Sequence, residues 1–249
     1  MISTQLLPKF LLGAGLFFLA ACNDSGEKAT TEEVTTDTMT SSTTMTNEPL
    51  AASTITRTAQ GMMIAKHRVG NFAKWMASYE AHDSLRLANG VHNYVIGRGV
   101  MDSNMVLVAL KTDDFAKAKA FAKDASLKKA MEKGGVTGTP TIIHNNAVFQ
   151  DTAMIGEAVR SMTTFSVKDW STWEKGFEEG RPERIANGIV DRVYAHDADN
   201  PNKVTVVTAV VDSAKAADYW KSDMLKKRRA AGGVIGTPER FLFRVVKRY

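Results

Sequence analysis

The chain has 249 residues, of which 44% are hydrophobic and 24% charged, and it carries a net charge of +5. That supplies enough apolar material for a substantial core, while the single cysteine excludes an internal disulfide, a thiolate metal site and CxxC redox chemistry. No clustered stripe of aromatic and basic residues is present, which excludes nucleic acid as the expected partner.

Residues 1–21 read as an export signal: Lys9 is followed by an apolar run that is too short to span a bilayer comfortably. The run ends in Leu19-Ala20-Ala21-Cys22, which resembles the lipobox of bacterial lipoproteins, in which the cysteine is acylated and becomes the first mature residue. The resemblance implies a chain held at the membrane through lipid on Cys22, in the bacterial cell envelope. Asn23 is not the aspartate that retains enteric lipoproteins in the inner membrane, so the outer membrane is favoured. Residues 22–58 are rich in Thr, Ser and acidic residues and show no periodicity, which predicts a disordered tether.

From Val69 to Pro140 the chain recurs, without a gap, 98 residues later, with about 25 of the 72 paired positions identical. Trp75 returns as Trp173, Asn89-Gly90 as Asn187-Gly188, and Gly134-Gly135-Val136 as Gly232-Gly233-Val234. Two repeats follow, residues 59–150 and 151–249. In each, a short alternating strand (63–69; 163–167) leads to apolar residues at helical spacing, Phe72, Trp75, Met76 and Tyr79 in the first copy and Trp170, Trp173 and Phe177 in the second. The Asn-Gly pairs stop these helices. Two strands joined by turn-forming links come next (92–100 and 105–111; 190–196 and 204–210), then a helix capped by Asp114 or Asp212, then a last strand (141–149; 240–246). The glycine-rich approach to that last strand reads as helix termination and a turn. It lies after a helix and before a strand, the reverse of a phosphate loop.

The order β-α-β-β-α-β, used twice, is the ferredoxin-like unit, and a four-stranded sheet with both helices on one face needs cover on the other. The fold class is therefore α+β, two tandem repeats packed face to face as a monomeric pseudo-dimer. On this element order, the tryptophan-bearing first helix and the GV-x-G-x-P approach, the chain resembles the dimeric α+β barrel superfamily, which includes antibiotic-biosynthesis monooxygenase-like, haem-degrading and chlorite dismutase-like proteins. The resemblance implies a fold that hosts unrelated activities. No family motif maps onto this chain residue by residue.

The histidines are not shared between the repeats: His67, His92 and His144 stand where the second copy has Phe165, Val190 and Leu242. His67 and His144 lie on neighbouring strands and are expected to share a pocket beneath Trp75 and Tyr79, where neutral imidazole would act as ligand or base. In the second copy Arg192, Tyr194 and His196 alternate along one strand and would present polar tips on one face. No metal-binding motif, HExxH or Ser-His-Asp order occurs. The expected role is that of an anchored envelope protein binding a small apolar or aromatic ligand near His67 and His144. The alternatives are a cofactor-independent monooxygenase, a haem-binding oxidoreductase, and a protein-interaction module without a small-molecule site. Cys22→Ala is predicted to release the folded protein from the membrane pellet. Retention of that variant after a high-salt wash would exclude lipid anchoring.

Overall fold

The computed structural model describes residues 53–249; the expected export signal, Cys22 and the expected tether up to residue 52 lie outside them. Within the described residues, the first repeat contains β2 (Gln60–Val69), α1 (Phe72–Ala81), α2 (Asp83–Ala88), β3 (Val91–Gly99), β4 (Met105–Thr112), α3 (Phe115–Ala122), α4 (Ala125–Lys133) and β5 (Val136–Asp151). The second contains β6 (Val159–Val167), α5 (Trp170–Glu179), α6 (Arg181–Ala186), β7 (Ile189–Asp197), β8 (Lys203–Val210), α7 (Ser213–Lys221), α8 (Asp223–Ala231) and β9 (Val234–Arg248). A two-residue strand, β1 (Ile55–Thr56), pairs with Asp151 and Gln150 at the end of β5. Ile55 and Thr56, expected to belong to a disordered segment, therefore lie in the sheet, because they find its edge to bond.

Helix starts follow the chemistry of their caps. Asn71, Asp114, Asp124, Asp169, Asp212 and Ser222 each accept a hydrogen bond from a first-turn backbone N–H, satisfying a donor that the helix itself leaves unpaired. Asn89-Gly90 and Asn187-Gly188 end α2 and α6, with the glycines at φ 65° and 70°, a region closed to most side chains. Each crossover holds two short helices where the sequence pattern suggested one. The last strands also begin earlier than expected, at Val136 and Val234, because Gly138 and Gly236 at positive φ fit a bulge within the strand rather than a turn before it.

Each repeat forms an antiparallel four-stranded sheet, β5-β2-β4-β3 and β9-β6-β8-β7. The repeats meet along their edges. β3 pairs with β9, as in Gly97 opposite Val245, and β5 pairs with β7, as in Gln150 opposite Val193. These two ladders close the eight long strands into a barrel and leave no long edge unpaired. Inward side chains from both repeats, among them Met62, Ile64, Leu107, Met162, Ala195 and Phe243, pack into one shared interior. The outward faces carry the helices. In the first repeat Met63, Val69, Ile96, Val106, Val108 and Leu110 pack against Trp75 and Phe121; in the second Val167, Val204 and Val206 pack against Trp173. Fully burying each such side chain contributes about 1.5–3 kcal/mol.

Gly97 sits where the two repeats join. A Cβ there would stand 2.3 Å from a ring carbon of Phe243. Gly97→Ala is therefore predicted to lower stability by about 1–3 kcal/mol through overpacking of the seam. An unchanged Tm would show that the β3–β9 junction is loose enough to take a methyl group.

Candidate functional site

The residues singled out in the sequence do not converge. Met63 and His144 are direct cross-strand partners, and Met63 belongs to the helix-facing core, so His144 also faces the helices. His67 shares that face but lies four residues farther along β2, about 13 Å away at the usual strand rise. The expected common pocket is therefore not formed. His67 packs against Trp75, ring centroids 5.5 Å apart, and Trp75 stacks on Tyr79 at 5.1 Å. Neither ring nitrogen of His67 has a hydrogen-bond partner, and burial pushes its pKa down to about 4. His144 lies under α3, where burial and the neighbouring Lys119 lower its pKa against the opposing pull of Asp197 and Asp199. His92 is on the surface with its Nε2 2.8 Å from an Asp113 carboxylate oxygen. The Tyr79 hydroxyl bonds to Asn93 Oδ1 at 2.5 Å.

Arg192, Tyr194 and His196 do not share a face either. β7 carries a bulge between Asp191 and Val193, so Arg192 joins Val193 on the barrel interior while Tyr194 and His196 point to the helix side. The same irregularity occurs 98 residues earlier in β3, between Asn93 and Val95. Tyr194 stacks on Phe149 at 5.2 Å and receives a hydrogen bond from Arg57. His196 meets the Trp170 ring edge-on at 4.9 Å.

The helix layer does contain a cavity of about 120 Å³, but it is in the second repeat. It lies between the outer face of the sheet and helices α5, α7 and α8, walled by Phe165, Trp173, Phe177, Tyr219 and Trp220. Comparison at the 98-residue offset shows why it is open. Ser161, Thr163 and Thr208 line it where the first repeat has Met63, Ala65 and Leu110, and Arg240 replaces Ile142. Two long apolar side chains fill the first repeat's equivalent volume; two hydroxyl residues leave it vacant in the second. The small residues in strands β6 and β8 were the available signal, and reading the repeats for shared identity rather than for side-chain volume passed over it.

Four arginines shape the rim. Arg184 forms a bidentate, buried ion pair with Asp191 (2.8 and 2.6 Å), donates to the Phe177 carbonyl, and covers the Phe177 ring at 3.5 Å. Arg228 is bonded to Glu183 at 2.6 Å, and the Tyr219 hydroxyl donates to the same carboxylate at 2.8 Å. Burial, followed by the hydrogen bond to Glu183, holds the Tyr219 phenol well above its ordinary range. Arg229 and Arg240 have no carboxylate partner among the described residues. The Arg240 guanidinium lies 4.0 Å from the Trp220 ring centroid, and burial together with Arg229 lowers its pKa to about 10. The result is an aromatic slot with two uncommitted cations at its edge, suited to a flat ligand bearing negative charge.

A haem does not fit. A volume of about 120 Å³ is a little less than that of a cavity that holds benzene, about 150 Å³, and far below what a tetrapyrrole needs. No histidine lines it, since Phe165 occupies the position of His67. Among the described residues no three His, Cys, Asp or Glu side chains gather as a metal site.

No family model and no curated protein sequence matches this chain. Solved structures do. A candidate monooxygenase from Fusobacterium nucleatum superposes with a TM-score of 0.51 at 12% identity, covering 76% of this chain and 93% of the other. An anthrone oxidase-like protein gives 0.52 at 14% identity, covering 76% and 92%. At these identities the likeness is one of fold.

His67 supplies a test of the buried-imidazole geometry. Its folded pKa, about 4, lies below the unfolded value of 6.5, so the fold favours the neutral ring. Its contribution is complete above pH 6.5 and is lost as pH falls toward 4, by about 3 kcal/mol in full. His67→Phe, the second repeat's own residue, is predicted to recover about 2–3 kcal/mol of that loss at pH 4.5 relative to pH 8. Parallel pH–stability curves for the two proteins would show that His67 is solvated or partnered.

Proposed function

We propose that this chain, whose fold is the dimeric α+β barrel with both halves in one polypeptide, is a lipid-anchored envelope protein that binds a small aromatic ligand in its second repeat. The observation that carries the reading is the asymmetry of the helix layer: at one of two homologous positions Met63 and Leu110 are buried in the core, and the other keeps an aromatic-walled cavity. A recess of that kind leaves its aromatic walls short of packing contacts, which larger side chains would supply. An occupant restores those contacts. Arg229 and Arg240 favour an occupant carrying a carboxylate, phenolate or similar anion at its edge.

Acylation of Cys22, expected from the Leu-Ala-Ala-Cys sequence, would hold the chain at a membrane. The cavity offers an oxidation reaction little acid–base machinery. Glu183 is already committed to Tyr219 and Arg228, and Asp191 to Arg184. Binding is therefore the function proposed, with oxidation of the bound molecule by dioxygen as the rival outcome.

Native mass spectrometry of the full chain taken from its own envelope is expected to show a retained small molecule. Ser161→Met with Thr208→Leu, which imports the first repeat's residues, should raise Tm and abolish retention. Ligand retained at unchanged occupancy in that folded variant would overturn the assignment, and oxygen uptake with a quinol would replace binding by oxidation.

A further inference from the structure

The interior of the barrel, on the opposite side of the sheet from the aromatic cavity, has an arrangement that neither packing nor the reading above uses. A second cavity, about 70 Å³, lies there among side chains of both repeats. Three arginines line it at the end where β6 and β7 begin and β9 ends. Arg160 is the first inward residue of β6 and only 3% exposed; Arg192 is turned inward by the β7 bulge and 5% exposed; Arg248 sits at the end of β9 opposite Val95. A single carboxylate among the lining residues, Asp151, faces them, and it pairs with Arg192 at 3.0 Å. Arg192 also donates to the Ala153 carbonyl, and Arg160 donates to the carbonyls of Ala158 (2.7 Å) and Ile155 (2.9 Å), neither of which neutralises a charge. Three cations against one anion, two of them almost wholly buried, is a costly arrangement unless a further anion completes it. Burial, then repulsion from Arg192 and Arg248, brings the Arg160 pKa down to about 10.

The rest of the lining points to the other end of the same ligand. Asn145 is 1% exposed, lines the cavity, and neither its amide nitrogen nor its oxygen has a hydrogen-bond partner. Between it and the arginines the wall is apolar, with Ile64, Leu107 and Met162 among its residues. At the 98-residue offset the first repeat places Met62, Tyr94 and Gln150 where the arginines stand, so the cationic cluster belongs to one pole of a pseudo-symmetric lumen. We propose that the barrel lumen binds a short aliphatic monocarboxylate of roughly three to five non-hydrogen atoms, its volume being about half that of a cavity that holds benzene, with its carboxylate on the arginine cluster and its chain against the apolar wall. This site is separate from the aromatic cavity and stands whether or not that cavity is occupied.

Pseudo-symmetry supplies the variants. Calorimetric titration of the full chain in a non-ionic detergent with formate, acetate, propanoate, 1-propanol and inorganic phosphate is expected to show saturable binding of the carboxylates only. Arg248→Gln, a change at an exposed position that imports Gln150, should weaken propanoate roughly tenfold or more, as expected for loss of a charge-assisted hydrogen bond. Arg160→Met, importing Met62, should abolish binding while the variant keeps its cooperative melt; if it fails to fold, the Arg248→Gln result decides. All four tryptophans, Trp75, Trp170, Trp173 and Trp220, lie on the helix side, so propanoate should bind without altering their fluorescence. The proposal is overturned by absence of carboxylate binding, by equal affinity for 1-propanol or phosphate, by unchanged affinity in Arg248→Gln, or by a tryptophan response that places the ligand in the aromatic cavity.

Discussion

The two ladders that join the repeats, β3 with β9 and β5 with β7, set the conditions for everything else in this molecule. An isolated ferredoxin-like sheet has one face covered by helices and one face bare, with two edges free to pair. Joining edges to edges closes the sheet and divides every strand between two environments: an interior shared by both halves and an outer layer private to each. Residues one position apart then enter different chemistry. Met62 lines the lumen, while Met63 packs beneath a helix. The seam is pinned from outside as well, by Lys119 to Asp199, Lys247 to Glu80 and Arg57 to Glu178, although such exposed pairs contribute little individually.

Within each outer layer one arginine does the same job twice. Arg184 and Arg86 occupy equivalent positions, and each donates to a carbonyl of the preceding helix, Phe177 or Tyr79, while covering that residue's ring. The partner differs. Arg184 meets Asp191 of β7, whereas the equivalent Asn93 is neutral and Arg86 turns to Asp83 of its own helix. Thus the second repeat ties helix to strand with a full buried charge pair and the first with a network of weaker bonds around Tyr79. Loss of either partner from the Arg184–Asp191 pair would strand a buried charge, whose cost is several times that of an exposed ion pair.

Much of the architecture was legible because a repeat doubles the information. Cap residues at Asp114 and Asp212, and Asn-Gly stops at two equivalent sites, fixed element order and strand direction before any contact was known. What alternation could not show was the bulge. At Tyr94 and Arg192 one extra residue shifts the phase of a strand, sending Arg192 inward and its expected companions outward, and no side-chain pattern announces it. The histidines misled for a related reason. Adjacent strands and a common face are satisfied by His67 and His144, but register along the strand, which sets Met63 rather than His67 opposite His144, separates them. The cavities were harder still, since a void is a sum of small deficits: Ser161 and Thr208 are unremarkable residues until set beside Met63 and Leu110.

Covalent fusion has a consequence for how such a site is able to change. In a symmetric dimer every substitution is present twice, so a hydroxyl that opens space beneath one helix opens it beneath both, and the loss of packing is doubled with it. In this chain Ser161 altered one layer while Met63 remained in the core of the other. Dosage is halved. One copy is free to carry the stability of the pair, and the other is free to trade its own for a shape, which is a division of labour that no assembly of identical subunits can reach by single steps.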